Sequence, residues 1–171
     1  MNLISIREER PDDAAAIRDL NTAAFGRPVE AGIVDALRAA CPGLVSFVAV
    51  DGDRVLGHIL FSPATVERGP GGMVLAPLAV LPEHQRRGIG TALVERGIEA
   101  LRECGCPFVL VYGHPGYYPH FGFERASARG LRSHLPDVPD DAFMVLVLDE
   151  AAMAGVRGVA RHRPEFDEAM E

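Results

Sequence analysis

The segment PEHQRRGIGTAL, Pro82 to Leu93, sets two arginines against a Gly-x-Gly step that opens onto an apolar-patterned run. Such a turn is built to meet an anion. The first turn of a helix leaves up to four backbone N–H groups without partners, and its dipole favours negative charge. Glycines at 88 and 90 let phosphate oxygens approach that backbone with no Cβ in the way, and Arg86 and Arg87 add charge.

The flanks give the loop its setting. Before it, MVLAPLAVL reads as a buried strand with Pro77 in its middle. A proline cannot donate to a ladder, so it marks a bulge or a place where neighbouring strands part, and the backbone of Leu78, Ala79 and Val80 becomes available to an extended ligand. After it, Ile89, Leu93, Gly97, Ala100 and Cys104, joined by Val94, Ile98 and Leu101, form a wide helical stripe. FVLVY, Phe108 to Tyr112, follows as a short apolar strand. GHPGYYPHFGF is then a loop or single turn, rich in Gly and Pro.

Towards the N-terminus, LISI is strand-like, and Asp12 or Asp13 can cap a helix carrying Ile17, Leu20 and Ala24 that Gly26 ends. A second helix bears Val29, Ile33, Leu37 and Ala40 and stops at Cys41-Pro42-Gly43. LVSFVAV and RVLGHILF flank Asp51-Gly52-Asp53, a hairpin signal. AFMVLVL is the last clear strand, paired with a weaker one near Phe123 to Ser127.

Two nucleotide-binding patterns fail. A P-loop requires G-x-x-x-x-G-K-[ST], and the chain contains no Gly-Lys pair. A dinucleotide fingerprint requires a third glycine, but Thr91-Ala92-Leu93 follows Gly90, and FVLVY lacks the acidic residue that would hold a ribose.

The third pattern, Q/R-x-x-G-x-G/A, stands here as Gln85-Arg86-Arg87-Gly88-Ile89-Gly90. With the preceding strand, the following helix and a downstream Tyr-x-x-x-Gly-Phe, the chain resembles the GNAT superfamily of acyl-CoA-dependent N-acetyltransferases, and within it the YhbS-type branch. The resemblance runs from about Ile4 to Leu148. It implies an α+β (mixed α/β) fold, a twisted mixed sheet of about six to seven strands flanked by helices and splayed at the fourth strand. It implies acetyl-CoA as cosubstrate, with the diphosphate on Gln85, Arg86, Arg87, Gly88, Ile89, Gly90 and Thr91, and the pantetheine arm beside Leu78, Ala79 and Val80. Tyr118, four residues before Gly122, aligns with the tyrosine that protonates the leaving thiolate, and Tyr117 is the second choice. Residues 1–171 form a single domain on this reading, with 149–171 as a C-terminal extension.

The chemistry sets its own requirements. Acetyl transfer needs a neutral amine, a polarised carbonyl and a proton for the leaving sulfur. A backbone N–H at Leu78 or Val80 would meet the oxyanion. An amine with a pKa near 10 is mostly charged at neutral pH, so His114, just past FVLVY, is a candidate base. Glu67 would serve only if its loop folds over the site, His58 is structural or surface, and His84 is a solvent-exposed neighbour of the loop. Cys104 lies roughly 24 Å along the helix from the phosphates, at about 1.5 Å per residue, so direct transfer in a ternary complex is favoured over an acyl-enzyme. His114 and His120 have an H-x5-H spacing, but Cys104-x-Cys106 is tighter than a usual zinc knuckle and a helix–strand turn separates the pairs, so no metal is expected.

The acceptor, a small-molecule or peptide amine, would be bounded by the connection from Asn21 to Ala31 and by the loop around Ser133 to Asp141, where Asp137, Asp140 and Asp141 could attract a cation. Alternatives are a CoA-binding module without turnover, or transfer of a longer acyl chain or to a hydroxyl.

Bulk properties agree. A chain of 171 residues with 48% hydrophobic and 24% charged residues suits one globular domain, and a net charge of −7 argues against broad nucleic-acid binding. No apolar run is long enough to span a bilayer, and the first residues lack a signal-peptide pattern, so a cytoplasmic location without membrane attachment is expected. Three cysteines, an odd number, read as reduced thiols. A homodimer through the Gly155 to Phe166 tail is a possible assembly.

Overall fold

The structure, a computed structural model, describes residues 3–169. Among them are nine strands: β1 (Ile4–Glu8), β2 (Val45–Asp51), β3 (Arg54–Val66), β4 (Gly72–Val80), β5 (Phe108–Tyr112), β6 (Glu124–Arg125), β7 (Leu131–Ser133), β8 (Phe143–Val147) and β9 (Gly158–Arg161). The α-helices are α1 (Ala14–Phe25), α2 (Val29–Ala40), α3 (Ile89–Glu103), α4 (Glu150–Met153) and α5 (Pro164–Ala169). The fold is mixed α/β, and its strands pair mostly antiparallel, with parallel ladders at β4–β5 and β7–β9. The expected six to seven strands were too few. β6, β7 and β9 have 2, 3 and 4 residues, too short for side-chain alternation to register in a sequence.

The chain divides into two compact units. One takes the residues up to Phe61, Pro77–Glu99 and the segment from Pro164 onward; the other takes Ser62–Ala76 and Ala100–Arg163. β3, β4 and α3 contribute residues to both.

In the first unit β1, β2 and the start of β3 form an antiparallel ladder, with Ile4 opposite Asp51 and Val45 opposite Phe61. The hairpin turns at Asp51-Gly52-Asp53, where Gly52 supplies a φ of +61°. Between Ala49 and Val50 the register shifts, leaving Leu56 as a bulge residue whose carbonyl accepts the Leu81 N–H at 2.9 Å. Helices α1 and α2 bury Ile17, Leu20, Ile33, Val34 and Leu37 with Val48, Val50, Val55, Leu60 and Ala79. Each buried Val, Leu or Ile among them is worth about 1.5–3 kcal/mol of transfer free energy. Gly26, at φ +69°, closes α1, as its position predicts.

The expected aspartate cap is absent, because Asp13 is engaged elsewhere. Its carboxylate accepts the Arg10 N–H at 2.7 Å and pairs with Arg7 at 2.7 Å, and the Arg7 hydrogen bond holds it below the usual carboxylate range.

His58, expected to be structural or surface, is fully buried. Its Nδ1 meets Asn21 Nδ2 at 3.3 Å and its Nε2 meets Ser46 Oγ at 3.0 Å. Asn21 Nδ2 also donates to the Ile17 carbonyl at 3.0 Å, which fixes the amide and makes His58 Nδ1 the acceptor. The ring proton therefore sits on Nε2 and points at Ser46. Burial pushes the His58 pKa down to about 3.

In the second unit β5 is central. It pairs in parallel with β4 from Met73↔Val109 to Leu75↔Val111, and antiparallel with β8 from Phe108↔Val147 to Tyr112↔Phe143. Among the described residues the β4–β5 ladder ends at Leu75, two residues before Pro77. β9, from the tail, pairs with β3 at Thr65↔Arg161 and with β7 at Leu131↔Gly158.

Candidate active site

The loop Pro82 to Gly88 is shaped before any ligand arrives. A 3-10 turn, Pro82–His84, starts it, and Gln85 Nε2 reaches back to the Val80 carbonyl at 3.0 Å, tying the loop to the end of β4. Arg86 and Gly88 have φ of +64° and +83°. Glycine adopts this conformation freely, whereas arginine does so at a cost of about 1–2 kcal/mol. The first intrahelical bond, Ala92 N–H to the Gly88 carbonyl, measures 3.0 Å. Among the described residues, the N–H groups of Arg86, Arg87, Gly88, Ile89 and Gly90 donate to no backbone carbonyl.

Charge is arranged to match. Arg86, Arg87 and Gly88 are exposed, and a Cβ added at Gly88 would meet nothing within 4 Å, so the loop faces open space. Glu83, the acidic residue of the loop, is paired with Arg54 at 2.9 Å. The local field is therefore set by the two arginines and the start of α3.

The helix behind the loop is seated by glycine. A Cβ on Gly57 in β3 would lie 3.0 Å from both Ile89 Cγ2 and Leu93 Cδ1, and 3.3 Å from the Ala79 carbonyl oxygen. One turn further along, a Cβ on Gly97 would run into the Phe61 ring. Buried Ile89 and Leu93 thus bring the start of α3 down onto bare backbone. In β4, Pro77 and Ala79 are buried while Leu78 and Val80 are half-buried. Ala79 fills the core beneath α1 and α2, and Leu78 and Val80 point to the other face.

In the second unit the segment after β5 turns tightly. The Tyr117 N–H donates to the His114 carbonyl at 3.1 Å, a 3-10 turn spans Tyr118–Phe121, and Gly122 at φ +100° ends it. Tyr118 is 9% exposed, with ring centroids 5.1 Å from Tyr117, 5.6 Å from Phe123 and 6.4 Å from Phe121. Burial, with Tyr117 beside it, pushes its pKa up to about 12. Among the described residues, the buried side-chain atoms left without a partner are Asn21 Oδ1, Ser62 Oγ, His84 Nδ1 and Arg96 Nη1, and the Tyr118 hydroxyl is not one of them.

The model of the acetyltransferase (GNAT) family matches residues 14–123, a span that covers this loop and the start of α3. The chain is 35% identical over 164 residues to the uncharacterized N-acetyltransferase YhbS of Escherichia coli K12, covering 95% of this chain and 98% of that protein. This chain belongs to the GNAT family. A second GNAT relative, the uncharacterized N-acetyltransferase YjhQ of the same organism, is 45% identical over 118 residues, which cover 66% of this chain and 65% of YjhQ. The crystal structure of E. coli YhbS in complex with CoA superposes with a TM-score of 0.91 at 33% identity, covering 98% of this chain and 93% of that one. A GNAT acetyltransferase from Brucella melitensis, solved in complex with acetyl-CoA, gives 0.80 at 35% identity over 98% and 100% of the two chains. As a GNAT protein the chain is an acyl-CoA-dependent acyltransferase.

His114 is exposed, and its Nδ1 accepts the Gly116 N–H at 3.0 Å, so the lone pair a base would use is occupied. His84 was expected in solvent but is half-buried, with Nδ1 out of contact with water, because the 3-10 turn folds it inward. Glu67 Oε1 accepts the Val159 N–H at 3.1 Å and is committed to β9. The Cys104 and Cys106 thiols donate to the Leu101 and Phe108 carbonyls. In the loop expected to meet a cationic acceptor, Asp140 pairs with Arg125 at 3.3 Å, and a cavity of about 210 Å³ is lined by Ser133, Asp137, Asp140 and Phe143 among others. Gly57 and Gly113 were missed by sequence reasoning; a glycine inside or just after a predicted strand was the available signal. No helix among the described residues is long and apolar enough to cross a membrane.

Proposed function

We propose that the chain transfers the acetyl group of acetyl-CoA to an amine, on a small molecule or a peptide, by direct attack in a ternary complex. The observation that carries this reading is the run of N–H groups from Arg86 to Gly90, without backbone acceptors, beside two exposed arginines at the head of α3. A diphosphate satisfies those donors and that charge together. The CoA and acetyl-CoA bound by the two structural relatives support the same guest.

In the reaction the neutral amine nitrogen attacks the thioester carbonyl carbon, the C–S bond breaks, the amine loses a proton and the sulfur gains one. Leu78 or Val80 N–H would stabilise the oxyanion. Tyr118 is proposed as the group that meets the departing sulfur, with Tyr117 as the second choice. A phenol near 12 is fully protonated at neutral pH, so the donor is always armed. Full transfer to a thiolate with a pKa near 8.5 would be uphill by on the order of 5 kcal/mol in the resting state. Tyr118 therefore acts first as a hydrogen-bond donor to the thiolate, and transfer completes as the amine proton is released. His114 can serve as base only once its bond to Gly116 opens; ordered water is the competing acceptor of that proton.

Thermal stabilisation by acetyl-CoA, CoA and NADH, measured side by side, tests the guest. One-site binding at about 100 times Kd adds about 2.7 kcal/mol. Stabilisation by NADH and not by CoA would overturn the proposal.

A further inference from the structure

Gly113, the residue immediately after β5, has no role in binding or chemistry so far. A Cβ built there would lie 2.7 Å from Tyr118 Cδ2, 3.3 Å from Cζ and closer still to Cε2. Approaches under about 3 Å are not made by real side chains, and the obstacle is the Cδ2–Cε2 side of an aromatic ring with its own packing. Gly113 is not among the residues with positive φ, so its φ does not call for a glycine. The glycine is required for space, not for conformation.

Neither partner can step aside easily. The Gly113 N–H donates to the Ala142 carbonyl at 2.9 Å, which fixes the strand end against the segment that leads into β8. On its other sides the Tyr118 ring meets Tyr117 and Phe123 edge-on, and its N–H bonds to the His114 carbonyl at 3.4 Å. The ring therefore has its Cδ2–Cε2 side against bare backbone and steeply inclined aromatic rings beside it, which restricts where the phenol oxygen can stand.

We propose that Gly113 is the positioning residue for Tyr118, setting where the phenol hydroxyl stands by leaving the Cδ2–Cε2 side of its ring free of a side chain. The proposal rests on the reading of Tyr118 as the group that meets the leaving thiolate. A ring lifted by one methyl moves its hydroxyl by about 1 Å, a displacement that can cost about a hundredfold in rate.

The test is a double-mutant cycle with two readouts. Gly113→Ala should lower kcat by about tenfold to a hundredfold while KM for acetyl-CoA stays within about twofold, since the diphosphate loop is untouched. In thermal unfolding, Gly113→Ala should lower Tm by about 5 °C when Tyr118 is present and by less than about 1 °C in a Tyr118→Ala background, where the methyl enters vacated space. If Gly113→Ala alone fails to fold, recovery of a folded protein on adding Tyr118→Ala supports the proposal, and no recovery overturns it. Equal Tm losses in the two backgrounds overturn it as well. So does a Gly113→Ala kcat within twofold of wild type where Tyr118→Phe has lost most of its turnover. Should Tyr118→Phe keep full kcat, the general-acid reading fails, while the stability cycle still reports whether Gly113 supports the ring.

Discussion

Gly57 and Leu93 meet without a side chain between them: a Cβ at 57 would stand 3.0 Å from Leu93 Cδ1 and equally close to Ile89 Cγ2. Ile89 opens α3, so whatever lifts it also moves the N–H groups that precede it. Gly57→Val should cost about 1–3 kcal/mol of stability through overpacking and weaken CoA binding by at least about tenfold, read by calorimetry on the folded variant. An unchanged CoA affinity would show that the loop holds its shape independently of the strand beneath.

Arg86 holds a backbone conformation that suits glycine better than arginine. Arg86→Gly should leave Tm near wild type or slightly higher, whereas Arg86→Val should lower stability by about 1–2 kcal/mol, because a β-branched residue tolerates positive φ poorly. Both should bind CoA more weakly for want of the charge. Chemical denaturation of the pair separates strain from electrostatics; equal stabilities would mean that the strain is absorbed elsewhere.

Arg87 offers a simpler electrostatic test. Arg87→Glu reverses an exposed charge beside the start of α3 and should raise the Kd for CoA by tenfold or more at low salt, with a smaller effect as ionic strength rises. A Kd that ignores both the substitution and the salt would remove the diphosphate from this loop.

His58 makes stability depend on pH. Its pKa falls from an ordinary 6.5 to about 3 on folding, so the unfolded chain binds a proton that the folded one refuses. The resulting stability is fully present above about pH 6.5 and is lost as pH falls towards 3, at up to about 1.4 kcal/mol per pH unit. His58→Gln should flatten that slope in denaturation measured from pH 7 to 4. Asp13, whose carboxyl is held low by Arg7, adds a loss of the same sign at lower pH.

For the rate, Tyr118 stays protonated through neutral and moderately alkaline pH because burial holds it near 12. With an alkyl amine, kcat/KM should therefore climb from pH 6 to 9 with the free-base fraction and show no alkaline fall from this tyrosine. Tyr118→Phe should lower kcat by about a hundredfold with Kd for CoA unchanged. A descending alkaline limb that disappears in Tyr118→Phe would mean that the phenol titrates far below 12.

Much of this was legible in residue order. FVLVY is β5 to the residue, the Asp51-Gly52 turn joins β2 to β3, and Gly26 and Cys41 end the first two helices where the apolar periodicity stops. These are local signals, each set by period or turn chemistry within a dozen residues. What escaped depends on residues far apart in sequence. β9 exists because Thr65 and Leu131 offer it edges, and His58 is buried because Asn21 and Ser46 occupy its two nitrogens. The floors at Gly57 and Gly113 escaped for the same reason, since a glycine's value there is the ring or helix that lies on it. The left-handed turn at Arg86 left no trace, because nothing in arginine's chemistry announces a positive φ.

The tail that reads as an appendage supplies β9, which lies between β7 and the far end of β3. Trimming the chain at Asp149 would uncover two raw strand borders at once, at Thr65–Val66 and at Leu131–Ser133, each with hydrogen-bonding groups to spare and no partner. The segment with the weakest pattern in the sequence thus doubles as a selvedge, and a shortened chain is exposed to fraying and self-association before any question of turnover arises.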